Sequence, residues 1–133
     1  MPFFRRLSII AIAILTPNLF AADSSKELPN SEHGKTTFNT MCGVCHSVQK
    51  TGGPVEGPNL IGLVGREAAS QPEFDRYSPA LSAADIVWTV EALDRFLKNP
   101  MGMVPGTFMP MLISDDKTRA DVIAYLETLQ QQD

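Results

Sequence analysis

Cys42-Gly43-Val44-Cys45-His46 is the stretch that decides how this chain of 133 residues folds. It holds the only two cysteines of the sequence, with a histidine directly after the second. A disulfide between them would stabilise the chain little, because the gain from a disulfide grows with the length of the loop that it closes. The spacing of this motif therefore needs another explanation.

Three kinds of site use closely spaced cysteines. A thioredoxin-type redox pair is expected beside a βαβ pattern, which is missing from this sequence. A structural zinc site needs four ligands, and the chain offers only the two cysteines, His46 and His33. The C-x-x-C-H pattern is the attachment signature of c-type haem. It predicts one covalently bound haem c, with Cys42 and Cys45 on two vinyl groups of one porphyrin edge and His46 as an iron ligand.

Helical periodicity surrounds the motif and returns twice towards the C-terminus. Apolar residues recur at the i, i+3, i+4 spacing of a helix with one buried face. The three segments, each beginning with its predicted N-cap, are Ser31 to Cys45, Thr89 to Asn99 and Ser114 to Leu129. The sequence thus predicts an all-α domain of three to five helices.

Long irregular loops separate these helices. Residues 49–81 contain five glycines and four prolines, a density that disfavours both helix and strand. A second loop is predicted from Met101 to Ile113, after Pro100 ends a helix. Short helices with loops of this length enclose too little apolar surface for a core of their own. A large, flat, hydrophobic cofactor would supply that surface.

The first residues have the order of a secretory signal peptide. Arg5 and Arg6 precede an apolar run from Leu7 to Leu15, and small residues follow. A retained membrane anchor is the alternative, but the run is much shorter than the roughly 20 residues that span a bilayer. We expect cleavage after Ala21, which assigns residues 1–21 to the signal peptide and residues 22–133 to one domain in the periplasm.

The charge balance narrows the class of partner. The formal net charge is −4, and residues 1–21 contain two arginines and no acidic residue. An acidic chain without a Lys/Arg-rich run argues against nucleic acid as a partner. We expect no permanent membrane segment after the leader, a monomer, and partners that are proteins.

The second axial ligand decides between a closed haem iron and an open one. A thioether closes the site and raises the reduction potential, whereas an open site favours small-molecule binding or activation. The methionines that remain after the leader are Met41, Met101, Met103, Met109 and Met111. Met41 lies beside the attachment motif and is interpreted as core packing. Spacing alone does not choose among the other four.

The segment from Asn99-Pro100 to Pro105-Gly106-Thr107-Phe108-Met109 strongly resembles the axial-methionine loop of class I cytochromes c, the electron carriers of mitochondria and bacteria. The resemblance implies the cytochrome c fold wrapped around one haem, and Met109 as the second iron ligand. Met111 is the alternative ligand. Gly34 and Phe38 resemble the residues where the first helix of this family crosses the last, and Val122 and Tyr125 resemble the other side of that crossing.

Four further residues resemble the positions that support the haem in this family. Pro58, in Gly57-Pro58-Asn59-Leu60, is implied to accept the second N–H of His46 with its carbonyl group. Arg66, Tyr77 and Trp88 are implied to donate hydrogen bonds to the haem propionates, which are costly to bury without donors.

The chain also departs from the family. Phe96 stands where many members have a tyrosine whose hydroxyl reaches the axial sulfur. The loop between Arg66 and Tyr77 is one residue longer than in the mitochondrial form. Mitochondrial members surround the haem edge with lysines, whereas this chain has only Lys26, Lys35, Lys50, Lys98 and Lys117, interspersed with acidic residues. The identity of the partner therefore cannot be transferred from that subgroup.

These features predict a soluble periplasmic one-electron carrier rather than an enzyme. Its expected partners in a respiratory chain are a donor dehydrogenase or quinol-oxidising complex, and an acceptor oxidase or reductase. Two alternatives stay open. One is a dedicated haem subunit of a periplasmic dehydrogenase. The other is a haem sensor or peroxidase with a labile sixth ligand. This alternative stays open because Phe96 lacks the hydroxyl that would reach the axial sulfur.

Overall fold

The helix before the cysteine motif begins the fold. The computed structural model describes residues 27–51 and 56–130, and the predicted leader, residues 1–21, lies outside them. Helix α1 (Ser31–Thr37) continues directly into a π-helical turn (Phe38–Cys42). Asn30 caps α1, because its side-chain oxygen accepts the backbone N–H groups of two residues in the first turn. The prediction of Ser31 as N-cap is wrong by one residue.

Four more helices follow in the described chain: α2 (Pro79–Ser82), α3 (Val90–Lys98), α4 (Pro100–Met103) and α5 (Asp116–Thr128). Thr89 caps α3, as predicted. Asn99 ends α3 and also caps α4, a short helix that overlaps the start of the loop predicted from Met101 to Ile113. Asp115 caps α5 in place of the predicted Ser114, since its carboxylate accepts a backbone N–H of the first turn at 2.7 Å.

Backbone pairing holds the Gly/Pro-rich loop against the start of α3. An isolated antiparallel bridge joins Glu67 to Val87, the only β pairing within the described ranges. Beside it, the Trp88 N–H donates to the Arg66 carbonyl and the Gly65 N–H donates to the Trp88 carbonyl, both at 2.9 Å. The prediction of an all-α fold with long loops is confirmed. No helix in residues 27–51 and 56–130 has the length and apolar character needed to cross a membrane.

Helices α1 and α5 cross at Gly34. A Cβ atom at this position would overlap the backbone carbonyl of Asp121, so only glycine permits such a close approach of the two backbones. Beside the crossing, the rings of Phe38 and Tyr125 pack with centroids 5.4 Å apart, and Val122 is buried. The predicted crossing is confirmed, and Phe38 and Val122 form part of the wall of the cavity described below.

A buried carboxylate ties the cap of α1 to α5. Asp121 accepts hydrogen bonds from the Asn30 N–H at 2.7 Å, from His33 Nδ1 at 2.6 Å and from Lys117 Nζ at 2.9 Å. Burial would raise the pKa of Asp121, but these donors outweigh burial and lower the pKa to about 2. The carboxylate is therefore ionised at neutral pH and holds its three partners together.

A buried guanidinium fixes the first turn of α5. Arg119 is 2 % exposed and donates hydrogen bonds to the carboxylates of Asp94 in α3 and Asp116 in α5, at 2.8 and 2.6 Å. It also donates to the carbonyl oxygens of Ile113 and Ser114, at 3.0 and 2.9 Å. Arg119 thus anchors the end of the loop that carries Met109.

Candidate functional site

A cavity of about 600 Å³ opens between the helices and the Gly/Pro-rich loop. Its volume falls in the range of roughly 300–1,000 Å³ that is usual for cofactor sites. Every residue predicted for the site contributes to its wall: Cys42, Cys45, His46, Pro58, Arg66, Tyr77, Trp88 and Met109. Met111, the alternative ligand, lines the same cavity. The fold therefore brings together residues that come from most of the length of the described chain.

The π-helical turn presents the two cysteines to the cavity. It ends at Cys42, and the N–H groups of Cys45 and His46 then donate to the Cys42 carbonyl at 3.0 and 2.9 Å. This tight turn leaves Cys42 buried and Cys45 exposed at the cavity mouth, both as free thiols. Burial, with a smaller contribution from Cys45, raises the pKa of Cys42 to about 11. Cys42 is therefore a neutral thiol at neutral pH, unlike the activated thiolate of a thioredoxin-type pair.

His46 is oriented by the loop that faces it. Its Nδ1 donates to the Pro58 carbonyl oxygen at 2.8 Å, a group that can only accept, and Nε2 is therefore the nitrogen with a free lone pair. Gly57 lies against the ring: a Cβ there would be 2.5 Å from His46 Cε1 and 2.7 Å from Nδ1. Burial lowers the pKa of His46, although the Pro58 bond acts in the opposite direction. The ring is thus held neutral, as a metal ligand requires.

A tight turn positions Met109. The Thr107 N–H donates to the Val104 carbonyl at 3.0 Å, and Gly106 adopts a φ of 93° that favours glycine. The buried Thr107 hydroxyl then accepts the Met109 N–H at 3.3 Å. Met109 is partly buried, and it enters the cavity from the C-terminal part of the chain, whereas His46 comes from the N-terminal part.

Arg66 supports the loop that holds His46. Its Nη2 donates to the Asn59 carbonyl at 3.0 Å, and its Nη1 donates to the Ile61 carbonyl at 2.9 Å and to Gln71 Oε1 at 3.1 Å. The guanidinium thus braces the backbone directly after Pro58. This role of Arg66 was not predicted from the sequence, where the resemblance implied hydrogen bonds to the haem propionates alone.

Tyr77 and Trp88 occupy the wall near Arg66. The Tyr77 hydroxyl oxygen accepts the Gln71 N–H at 3.3 Å, so its own proton is available to donate. Burial raises the pKa of Tyr77, although the Gln71 and Arg66 contacts act against burial. The Trp88 ring is buried and packs edge-on against Phe96, with centroids 4.9 Å apart. All three aromatic side chains line the cavity.

Asn59 supports the loop behind the cavity wall, a role that was not predicted from the sequence. Its Oδ1 accepts the Ile61 N–H at 2.8 Å and its Nδ2 donates to the Gln49 carbonyl at 2.8 Å. This local turn, which asparagine favours, joins the segment after Pro58 to the segment after His46. The position of Asn59 directly after Pro58 was the feature of the sequence that could have predicted this turn.

A family model described as Cytochrome c matches residues 31–130. The chain belongs to the cytochrome c family. Cytochrome c of Euglena viridis is 44 % identical over 76 % of this chain and 98 % of that protein. Cytochrome c2 of Rhodomicrobium vannielii is 35 % identical over 92 % of this chain and 97 % of that protein. Among solved structures, cytochrome cH from Methylobacterium extorquens matches with a TM-score of 0.67 and 36 % identity, covering 74 % of this chain and 98 % of that chain.

Membership of the cytochrome c family establishes the cofactor and the kind of activity. Cytochromes c carry one covalently bound haem c with iron, and they are electron-transfer proteins rather than enzymes. The cavity of this cytochrome c fits that group, because it combines a largely apolar wall with two free thiols and an imidazole whose Nε2 is unengaged. In the part of the chain that the structure describes, no group of three or more His, Cys, Asp or Glu side chains is placed to hold a metal ion.

Proposed function

We propose that this cytochrome c is a periplasmic one-electron carrier in which Cys42 and Cys45 attach the haem and His46 and Met109 are the axial ligands. The observation that carries the proposal is that one cavity is lined by the attachment motif and by the methionine of a rigid turn. Two ligands from separate, well-anchored segments can keep the same positions in both oxidation states. Haem iron, when bound, supplies the one-electron couple.

The protein's part is to hold both ligands and to exclude water. The Pro58 carbonyl and the packing of Gly57 prevent the His46 ring from turning. In the loop that carries Met109, the Thr107 hydroxyl fixes the backbone of Met109, and Arg119 anchors the end of the loop. Fixed ligands reduce the rearrangement that accompanies the gain or loss of an electron.

Three donors are available for the carboxylates of the cofactor. We assign Arg66, Tyr77 and Trp88 to them, since all three line the cavity and the Tyr77 hydroxyl proton is not used by the Gln71 contact. Arg66 donates three hydrogen bonds to groups of the protein itself, which leaves two of its five N–H groups for a carboxylate. A buried carboxylate needs such donors to remain ionised.

Export places the carrier in the periplasm. The order of charged, apolar and small residues within residues 1–21 supports a cleaved leader. The alignment with the bacterial cytochrome c2 of Rhodomicrobium vannielii also extends well before residue 31, where the family model begins. When the full-length gene product, including its leader, is secreted, the holoprotein should have the mass of residues 22–133 with haem. Its N-terminal sequence should begin at Ala22. A mature protein that keeps residues 1–21 would contradict the proposed export.

The decisive test of the ligand is spectroscopic. We expect the ferric holoprotein to show the near-infrared band of sulfur-to-iron charge transfer, and Met109→Ala to abolish it. Met111→Ala is the matched control, because Met111 lines the same cavity two residues further along and should leave the band in place. If Met111→Ala removes the band and Met109→Ala keeps it, the ligand assignment is wrong.

One observation favours a haem sensor or peroxidase as the second candidate. Phe96 is buried and lines the cavity, and it brings no hydroxyl to the methionine sulfur. In that case Met109 would be labile, the ferric band would be weak, and the ferrous protein would bind carbon monoxide readily at neutral pH. Absence of carbon monoxide binding, together with a strong band, would reject this candidate. Co-purification with a dehydrogenase would instead identify a dedicated subunit.

A further inference from the structure

The mouth of the cavity is surrounded by exposed apolar side chains. Val44 is 66 % exposed, Phe108 is 72 % exposed and Met111 is 38 % exposed, and each of the three also lines the cavity. We call these three residues the apolar rim. Single exposed apolar residues are common on protein surfaces, but a group around one opening indicates a contact surface.

The loop that supplies most of the apolar rim carries no charge. From Asn99 to Ser114 the sequence contains no Asp, Glu, Lys or Arg residue. Leu112, in the same loop, is half exposed and extends the apolar character beyond the cavity mouth. A contact surface of this kind has no charged side chain that could form an ion pair with a strongly charged partner.

The charged residues that do line the cavity largely compensate one another. They are Glu56, Glu67, Arg66 and Arg76, two of each sign. Arg76 forms an ion pair with Glu56 at 3.5 Å, and Arg66 is engaged by the loop backbone and Gln71. No lysine contributes to this wall in the described part of the chain. The charged side chains of the cavity wall therefore sum to zero net charge.

We propose that the apolar rim docks a redox partner protein through an uncharged, apolar patch on that partner, so that docking depends little on ionic strength. This inference rests on the proposed function, because an electron carrier must bring its cavity mouth close to its partner. The charge balance determines the chemistry of the partner, since a neutral apolar surface is complemented by another neutral apolar surface and not by a ring of charges.

The size of the apolar rim determines the kind of complex. Three or four side chains cannot bury the roughly 1,600 Å² of a standard stable interface, so the complex is short-lived. A membrane surface is a poor occupant, because anionic lipids are bound by clusters of Lys and Arg, which the apolar rim lacks. A carrier that must release its partner after each transfer needs a small contact of this kind.

Electron self-exchange of the holoprotein tests the inference, because a second copy is a redox protein with an apolar rim. One electron passes from a reduced copy to an oxidised copy, and line broadening in mixtures of the two forms gives the rate. For the native protein we expect the rate to change less than about threefold between about 0.1 and 0.5 M salt, where distant charges are screened.

Phe108→Lys should slow self-exchange at about 0.1 M salt by at least about fivefold, with recovery at high salt, because two like charges then meet in the contact. Val44→Lys should act in the same way and serves as the second variant if Phe108→Lys disturbs the neighbouring ligand. Leu28→Lys is the matched control: Leu28 is 82 % exposed and does not line the cavity, so the same added charge should leave the rate nearly unchanged.

The outcomes separate this inference from the proposed function. A native protein that shows the methionine charge-transfer band but has a strongly salt-dependent rate would refute the apolar docking alone. Equal effects of Phe108→Lys and Leu28→Lys, or self-exchange too slow to measure, would refute it as well. A stable dimer in sedimentation would identify a second copy as the occupant and overturn the proposed short-lived complex. Loss of the band in the native protein would instead refute the proposed ligation.

Discussion

Gly57→Ala tests the positioning of His46 most directly. The new Cβ would lie 2.5 Å from His46 Cε1, 2.7 Å from Nδ1 and 3.0 Å from Nε2, whereas ordinary contacts between such atoms are 3.4 Å or longer. The φ angle of Gly57 lies outside the left-handed region, so alanine is strained by this overlap rather than by its backbone conformation. The imidazole must therefore retreat by about 1 Å, in keeping with close packing of protein interiors.

That displacement has a cost in free energy that can be worked out from the geometry. The bond from His46 Nδ1 to the Pro58 carbonyl is 2.8 Å long, and a movement of this size away from the carbonyl would break it. Loss of one hydrogen bond costs about 1 kcal/mol, and overpacking costs about 1–3 kcal/mol. We expect Gly57→Ala to lower the free energy of unfolding by about 2–4 kcal/mol.

Denaturant unfolding of the ferric holoprotein, followed by circular dichroism, measures this change, and the spectrum reports on the ligands. Gly43→Ala is the matched control, because Gly43 is exposed and has helical dihedral angles, and its Cβ would meet Asn39 O at 3.1 Å, which a shift of a few tenths of an ångström relieves. We expect the control to change the free energy of unfolding by less than about 1 kcal/mol. A Gly57→Ala protein as stable as the control, with an unchanged spectrum, would refute the argument that Gly57 and Pro58 position His46.

Two further predictions concern the crossing of α1 and α5. Gly34→Ala would place a methyl group into the backbone of Asp121, where no flexible side chain can move aside. We therefore expect the free energy of unfolding to fall by about 3 kcal/mol. A loss below about 1 kcal/mol in denaturant unfolding would contradict the close approach of the two helices. The pKa of Asp121 is lowered from 3.8 to about 2, so the carboxylate contributes stability that is complete above pH 3.8 and is lost as the pH falls towards 2. Asp121→Asn should lower the free energy of unfolding at neutral pH by about 2 kcal/mol. It should also flatten the pH dependence of stability between pH 4 and 2. If the acid-unfolding curve of the variant matches that of the native protein, Asp121 does not supply this pH dependence.

The sequence predicted much of the helical framework, because helix signals are local. The N-cap Thr89 and the stop at Pro100 need only the residues on either side of them. The caps of α1 and α5 were each misplaced by one residue, since serine, asparagine and aspartate stand side by side there and the backbone decides which side chain reaches the free N–H groups. Helices α2 and α4 were missed because four residues are too few to produce a periodic pattern.

The roles of Arg66 and Arg119 depended on distant parts of the chain. Arg119 was invisible in the sequence, because a basic residue in an amphipathic helix is ordinarily placed on the solvated face. Its burial depends on Asp94, which belongs to a different helix, and on the carbonyls of Ile113 and Ser114 at the end of a loop. Likewise, no spacing rule shows that Arg66 braces the backbone after Pro58.

By itself, the motif Cys42-Gly43-Val44-Cys45-His46 determined the cofactor, because covalent attachment needs residues that are neighbours in sequence. The tertiary structure decided how the rest of the chain surrounds that motif. The neutral, oriented state of His46 comes from Pro58 and Gly57 across the cavity, and the uncharged contact surface comes from Val44 and a loop more than fifty residues away. Attachment is a local property of the chain, whereas orientation, burial and surface character arise only where distant segments meet.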